Sequence, residues 1–127
     1  MIGKIKGKRV LVLGMGKSGR AAVRLLIKAG ASSIVANDRK QTDLLLKEAE
    51  EFLAYPQVEI VGGGHPQDLL EGVSLIIKSP GISPELPFLK SALDKGIPVY
   101  SEIELAYNYT QATIVGITGT NGKTTTT

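Results

Sequence analysis

The stretch Arg9-Val10-Leu11-Val12-Leu13 runs directly into Gly14-Met15-Gly16-Lys17-Ser18-Gly19 and then into a helical pattern. No other part of the chain restricts the fold as much. An unbroken aliphatic run of this length reads as a strand buried on both faces. Over residues 19–29, Ala22, Val23, Leu26 and Ala29 share one helical face, while Arg20, Arg24 and Lys28 fall four apart on the other. Gly30 is placed to end that helix. Glycines at 14, 16 and 19 permit a tight turn, close approach of the backbone to a phosphate, and close packing of helix on strand. The helix start then offers unpaired N–H groups and the positive end of the helix dipole to a diphosphate. A glycine turn that serves packing alone is the plainer reading of the same residues.

The rest of the chain repeats the alternation. Residues 33–36 form a second strand that ends at Asn37 and Asp38. A second helix over 43–54 turns Leu45, Leu46, Ala49, Phe52 and Leu53 inward. Residues 58–61 give a third strand, Gly62-Gly63-Gly64 a turn to His65 and Pro66, and a short helical turn follows through Leu70. A fourth strand over 73–77 breaks at Ser79-Pro80-Gly81. A helix over 87–95 stops at Gly96, and a fifth strand covers 97–100. Ser101 and Glu104 have the spacing of a capping box, which predicts a helix to about Tyr107. Residues 113–118 form a sixth strand ahead of Gly119-Thr120-Asn121-Gly122-Lys123-Thr124-Thr125. Strands alternating with helices predict an α/β fold, a Rossmann-like doubly wound and mostly parallel sheet. Ligands of such sheets sit beyond the carboxyl ends of the strands, and every unusual loop here follows a strand.

Size and composition narrow the classes. The chain has 127 residues, 43% of them apolar, which suits one globular domain. It has no cysteine, so disulfides and thiolate metal sites are excluded and a cytoplasmic setting is expected. The formal charge of +3 is too mild to argue for nucleic acid, and Lys4, Lys6, Lys8 and Arg9 read as a solvated edge. No stretch has the length of a membrane span. Neither nucleic acid nor membrane is an expected partner.

Asp38 ends the second strand, where a dinucleotide enzyme places an acid on the ribose hydroxyls. A nicotinamide-dependent oxidoreductase is therefore a rival reading, and an exposed turn or helix-cap residue a plainer one. Ser79-Pro80-Gly81-Ile82 is by itself only a turn, made interesting by its place on the shared rim. In Gly119–Thr125, backbone N–H groups would surround a β-phosphate, Lys123 would offset β/γ charge, and the Thr124 hydroxyl would reach Mg²⁺. It is a variant loop, because the strict pattern needs glycine at 117, where Ile117 stands. His65, the one histidine, has no second ligand or nucleophile near it in sequence and reads as a loop residue. Glu102 and Glu104 serve helix charge and capping, and Tyr100, Tyr107 and Tyr109 partial core.

Taken together and in this order, GMGKSG, the Asp38 strand end, SPGI, SEIELAY and TIVGITGTNGKTTTT resemble the Mur ligases over essentially the whole chain. GMGKSG combined with SPGI favours the branch that adds D-glutamate to UDP-N-acetylmuramoyl-L-alanine. The resemblance implies an enzyme of peptidoglycan synthesis with three domains, monomeric at full length. Its substrates would be UDP-N-acetylmuramoyl-L-alanine, D-glutamate and ATP, with Mg²⁺. ATP would phosphorylate the alanyl carboxylate, and the amine of D-glutamate would displace phosphate from the acyl phosphate. On that likeness Gly14, Gly16, Lys17 and Ser18 lie against the diphosphate. Asp38 and Arg39 lie beside the uracil, and Gly81 lines the pocket. Gly119, Thr120, Asn121, Gly122, Lys123, Thr124 and Thr125 would bind ATP, with Lys123 and Thr124 catalytic and Thr124 on Mg²⁺. The family often has Asp-Thr-Arg where this chain reads Asp38-Arg39-Lys40, which leaves the roles of Arg39 and Lys40 open. Residues 1–112 are then a UDP-substrate domain and 113–127 the start of an ATP-binding domain. A fragment of this extent is expected to be inactive and to hold no cofactor tightly. A nicotinamide dehydrogenase leaves residues 119–125 unexplained, and a non-catalytic nucleotide sensor is a third reading.

Overall fold

The computed structural model describes residues 5–83 and 85–108. The sixth strand, the 119–125 loop and the boundary at 112 lie outside the described residues. Five strands form one sheet: β1 (Arg9–Leu13), β2 (Ser33–Asn37), β3 (Val58–Val61), β4 (Leu75–Lys78) and β5 (Val99–Ser101). All neighbours are parallel and the order is β3-β2-β1-β4-β5. The helices are α1 (Lys17–Ala29), α2 (Thr42–Glu48), α3 (Pro87–Asp94) and α4, described over residues 102–108, with single 3-10 turns at Glu50–Phe52 and Gln67–Leu70. This is the α/β, Rossmann-like doubly wound sheet that the alternation predicts.

Strand side chains alternate between faces, and the core divides accordingly. Val10, Val12, Ile34, Ala36, Leu75 and Ile77 meet Ala22, Val23 and Leu26 of α1, Leu45 of α2 and Leu105 of α4. On the opposite face, Leu11, Leu13, Val35 and Ile76 meet Leu70 and the α3 residues Phe88, Leu89 and Ala92. Central β1 is covered on both sides, and Val10 to Leu13 are fully buried. Each such side chain contributes about 1.5–3 kcal/mol relative to exposure. A strand in that position has no room for polar alternation, so its sequence is a continuous aliphatic run.

Two glycines seat α1 on the end of β1. Gly14 has φ +90°, and a Cβ there would lie 2.8 Å from Ser79 Cβ. A Cβ on Gly19 would lie 1.7 Å from the Gly14 carbonyl oxygen. Gly30 closes the helix in the left-handed conformation, with Ala31 N–H donating to the Leu26 carbonyl.

Several boundaries differ from the sequence expectation, for local reasons. Extended Gly16 caps α1, so the helix starts at Lys17 rather than 19. α2 ends at Glu48 and the chain tightens into a 3-10 turn, which rotates Leu53 outward to 61% exposure. Leu53 is therefore not a core residue. β5 begins one residue after Pro98, whose carbonyl takes the Ile76 N–H. Tyr100 packs on the core as expected, whereas Tyr107 is 62% exposed. The expected capping box is present: Ser101 N–H donates to Glu104 Oε1 at 2.8 Å and Glu104 N–H to Ser101 Oγ at 3.1 Å.

Gly19→Ala is expected to lower the unfolding free energy by more than about 2 kcal/mol, because the added methyl meets backbone that cannot yield. Gly16→Ala, with nothing within 4 Å of its Cβ position, should change it by less than about 1 kcal/mol. Urea unfolding of the two variants checks the contrast, and equal costs would contradict it.

Candidate functional site

The parallel topology gathers the loops after β1, β2, β3 and β4 along one edge of the sheet. Register makes the rim even: Leu13 of β1 stands opposite Asn37 of β2 on one side and Lys78 of β4 on the other. The order reverses between β1 and β4, which is where such sheets open a crevice. Gly14 packs against Ser79 and Ile82 at that point, so the glycine loop and the SPGI loop touch.

At the end of β2, Asn37 and Asp38 tie three loops together. Asp38 Oδ2 accepts the Met15 N–H at 2.7 Å and Oδ1 the Lys40 N–H at 3.1 Å. Asn37 is completely buried and donates from Nδ2 to the carbonyls of Val61 at 2.8 Å and Gly64 at 2.7 Å. Its Oδ1 meets Nδ1 of His65. One strand end thus holds the glycine loop through one side chain and the loop after β3 through the next.

The start of α1 is open. Gly16 has extended backbone, no side chain caps the helix, and the first turn carries no acid. Among the described residues, none beyond its chain neighbours comes within 4 Å of a Cβ position at Gly16. Lys17 is exposed beside it, and Ser18 is half-buried on the same turn. Free N–H groups and the dipole favour an anion here.

A cavity of about 160 Å³ lies on the same rim, lined by Arg39, His65, Gly81, Ile82, Ser83 and Leu86. It is smaller than the roughly 300–1,000 Å³ of a whole small-molecule site, so it suits one ring. Of the residues that the sequence singles out, Arg39 and Gly81 meet in this cavity. Gly14 is instead consumed by packing on Ser79, and Asp38 holds backbone. The sequence reading missed His65, together with Ser83 and Leu86. A lone histidine behind three glycines gives no sign of the Asn37 side chain that receives it. Lys78 was also overlooked: its Nζ donates to the Ile82 carbonyl at 3.0 Å and fixes the SPGI loop from below.

Charges around the rim are set by local partners. Partial burial pushes the Asp38 carboxyl up, but the N–H groups of Met15, Lys40 and Arg39 and the charge of Lys40 outweigh it and hold the group below its ordinary value. Burial and the nearby Arg39 lower His65, against a weaker opposing pull from Asp38. Lys40 is exposed and pairs with Glu48 at 2.8 Å, which contributes little stability at the surface. Among the described residues no group of three or more His, Cys, Asp or Glu could hold a metal. No described helix is long and apolar enough to cross a membrane. The expected ATP and Mg²⁺ residues, Gly119 to Thr125, lie outside the described residues.

A carboxyl whose folded pKa is depressed stabilises the fold above its unfolded value, and that stability is lost as pH falls through the folded value. Acid is therefore expected to weaken the native chain more than Asp38→Asn, below the ordinary carboxylate range near pH 3.8. The difference should be modest, because the carboxyl is only partly buried. Urea midpoints at neutral pH and at successively lower pH check it, and parallel pH profiles would contradict it.

Comparison with known proteins gives the lineage. Residues 8–101 match the family model for the Mur ligase MurD-like N-terminal domain. The chain is 48% identical over 128 aligned residues to the UDP-N-acetylmuramoylalanine–D-glutamate ligases of Streptococcus pneumoniae strains Hungary19A-6 and CGSP14. It is covered completely in each case and spans 28% of the relative's length. Among solved structures, a pseudomurein peptide ligase type C from Methanothermus fervidus superposes with TM-score 0.59 at 19% identity, over 80% of this chain and 20% of that one. SirC, a precorrin-2 dehydrogenase, gives TM-score 0.54 at 17% identity, over 77% of this chain and 46% of the other. These two show the shared fold alone. With the family model covering most of its length, this chain belongs to the MurD-like N-terminal domain family of the Mur ligases.

Proposed function

We propose that the chain is the uridine-nucleotide-binding domain of an ATP-dependent, cytoplasmic ligase that adds D-glutamate to UDP-N-acetylmuramoyl-L-alanine in peptidoglycan synthesis. The observation that carries the reading is the meeting of Arg39 and Gly81 in one ring-sized cavity, on the rim that also bears the open start of α1. The diphosphate takes the N–H groups after Gly16, with Lys17 and Ser18 beside it, and the base takes the cavity. Family membership and the names of the curated relatives support the choice of substrate.

In the whole enzyme, the γ-phosphoryl of ATP passes to the alanyl carboxylate, releasing ADP. The amine of D-glutamate then attacks the acyl carbon and phosphate leaves. Bound Mg²⁺ would supply charge neutralisation on the transferring phosphoryl. Gly119 to Thr125 are the proposed ATP loop, with Lys123 and Thr124 as its charged and metal-facing residues, at the start of a domain that begins near residue 113. For this chain the reaction defines one task, to hold the nucleotide handle while chemistry occurs elsewhere.

A nicotinamide cofactor is the other ligand that the fold accommodates. In that reading Asp38 would receive the two ribose hydroxyls. Its two oxygens already accept backbone N–H groups, which favours a role in shaping the loop.

The 127-residue chain is expected to bind UDP more tightly than NAD, as measured by calorimetry. Tighter binding of NAD would overturn the proposal. Gly16→Val should fold, since a Cβ at this position meets nothing within 4 Å, yet weaken UDP at least about tenfold by occupying the phosphate's place. Unchanged affinity in the folded variant would show that the loop is only a turn. With UDP-N-acetylmuramoyl-L-alanine, D-glutamate and Mg-ATP, the 127-residue chain should release no phosphate. Turnover would refute the assignment of the chemistry to another part of the enzyme.

A further inference from the structure

We propose that His65 Nε2 is the hydrogen-bond acceptor that selects the base, reading a ring N–H of the uracil type and rejecting a cytosine-type ring. The inference rests on the nucleotide-binding function proposed above and adds a residue that neither the motifs nor the family likeness singles out. It begins at Asn37. Both hydrogens of its buried amide go to groups that can only accept, the carbonyls of Val61 and Gly64. The amide orientation is therefore fixed, and its oxygen faces His65 Nδ1. An amide oxygen cannot donate, so Nδ1 must carry a hydrogen. In the neutral ring Nε2 is then a bare lone pair.

That lone pair has no partner. Among the described residues, Nε2 is closed to solvent and makes no hydrogen bond, although buried polar atoms are almost always paired. The ring lines the cavity together with Arg39 and Gly81 and is braced from behind by Phe88, with centroids 5.7 Å apart. Burial and Arg39 disfavour a second proton on the imidazole, which keeps it an acceptor. An orphaned acceptor beside a ring-sized cavity calls for a ligand with a donor on its edge. Uracil presents N3–H between two carbonyls. The corresponding nitrogen of cytosine is itself an acceptor and would set lone pair against lone pair, which is discrimination by repulsion as well as attraction. Because Nε2 is closed to solvent in this conformation, contact with the base requires the imidazole or the adjoining wall to shift.

Calorimetric titration of the wild-type chain with UDP, CDP and N3-methyl-UDP tests the idea without any substitution. UDP is expected to bind at least about tenfold tighter than either analogue, because each leaves the buried acceptor unpaired. His65→Phe keeps a ring against Phe88 and removes the acceptor. It should weaken UDP about tenfold and bring the UDP-to-CDP ratio close to one. Wild-type chain that binds UDP but takes N3-methyl-UDP or CDP equally well would overturn the inference and leave the nucleotide site standing. So would a folded His65→Phe that keeps the wild-type ratio. Failure of the wild-type chain to bind UDP at all would overturn both.

Discussion

The glycine loop has its shape because Asp38 reaches across from the neighbouring strand and takes the Met15 N–H at 2.7 Å. A loop with glycines at 14, 16 and 19 has ample backbone freedom, and freedom must be removed before a binding surface exists. Three contacts remove it. Gly14 N–H donates to the Asn37 carbonyl at 2.8 Å, the Asp38 carboxylate takes the next N–H, and Gly19 rests on the Gly14 carbonyl. What survives unpaired is the part that matters for an anion, the start of α1. The carboxylate thus acts on ligand binding through the backbone it orders.

Neighbouring residues with different surroundings divide the work at the end of β2. Asn37 is sealed in the sheet and governs the loop after β3, while Asp38 is half-buried and governs the loop after β1. Strand geometry requires this, since successive side chains leave a strand on opposite faces. An adjacent Asn-Asp pair at this position therefore couples two loops that would otherwise be independent, and the cavity beside His65 depends on both.

Much of this was legible in the sequence. The aliphatic run at β1, the face of α1, the Gly30 cap and the Ser101–Glu104 box all follow from local periodicity or fixed spacing, and each is found where expected. Arg39 and Gly81 were singled out on the family resemblance, and the topology brings them to one cavity. Three-dimensional partners were not legible. Asp38 reads as a ligand-facing acid, and nothing in the sequence shows that its carboxylate also accepts a backbone N–H 23 residues away. His65 was set aside as a loop residue because its significance lies in Asn37, 28 residues earlier. Leu53 was assigned to the core because helical spacing was extended through a turn that tightens after Glu48. Periodicity reports the repeating elements, and it is silent on hydrogen bonds between loops.

The strand order has a consequence for how the chain is made. β1 is made before the other four described strands and is the middle one in the sheet, with β2 on one side and β4 on the other. Its partner in β2 begins at residue 33, but Leu75 of β4 comes more than forty residues later by position in the chain. A nascent chain that has released β1, α1, β2, α2 and β3 therefore carries a half-sheet whose most apolar strand has a bare edge. Such edges recruit other strands, and parallel sheets pair slowly because distant segments must meet. A ribosome that stalls after Val61 and before Leu75 leaves Val10 to Leu13 open to misassembly, whereas one that stalls after Lys78 leaves β1 paired on both sides.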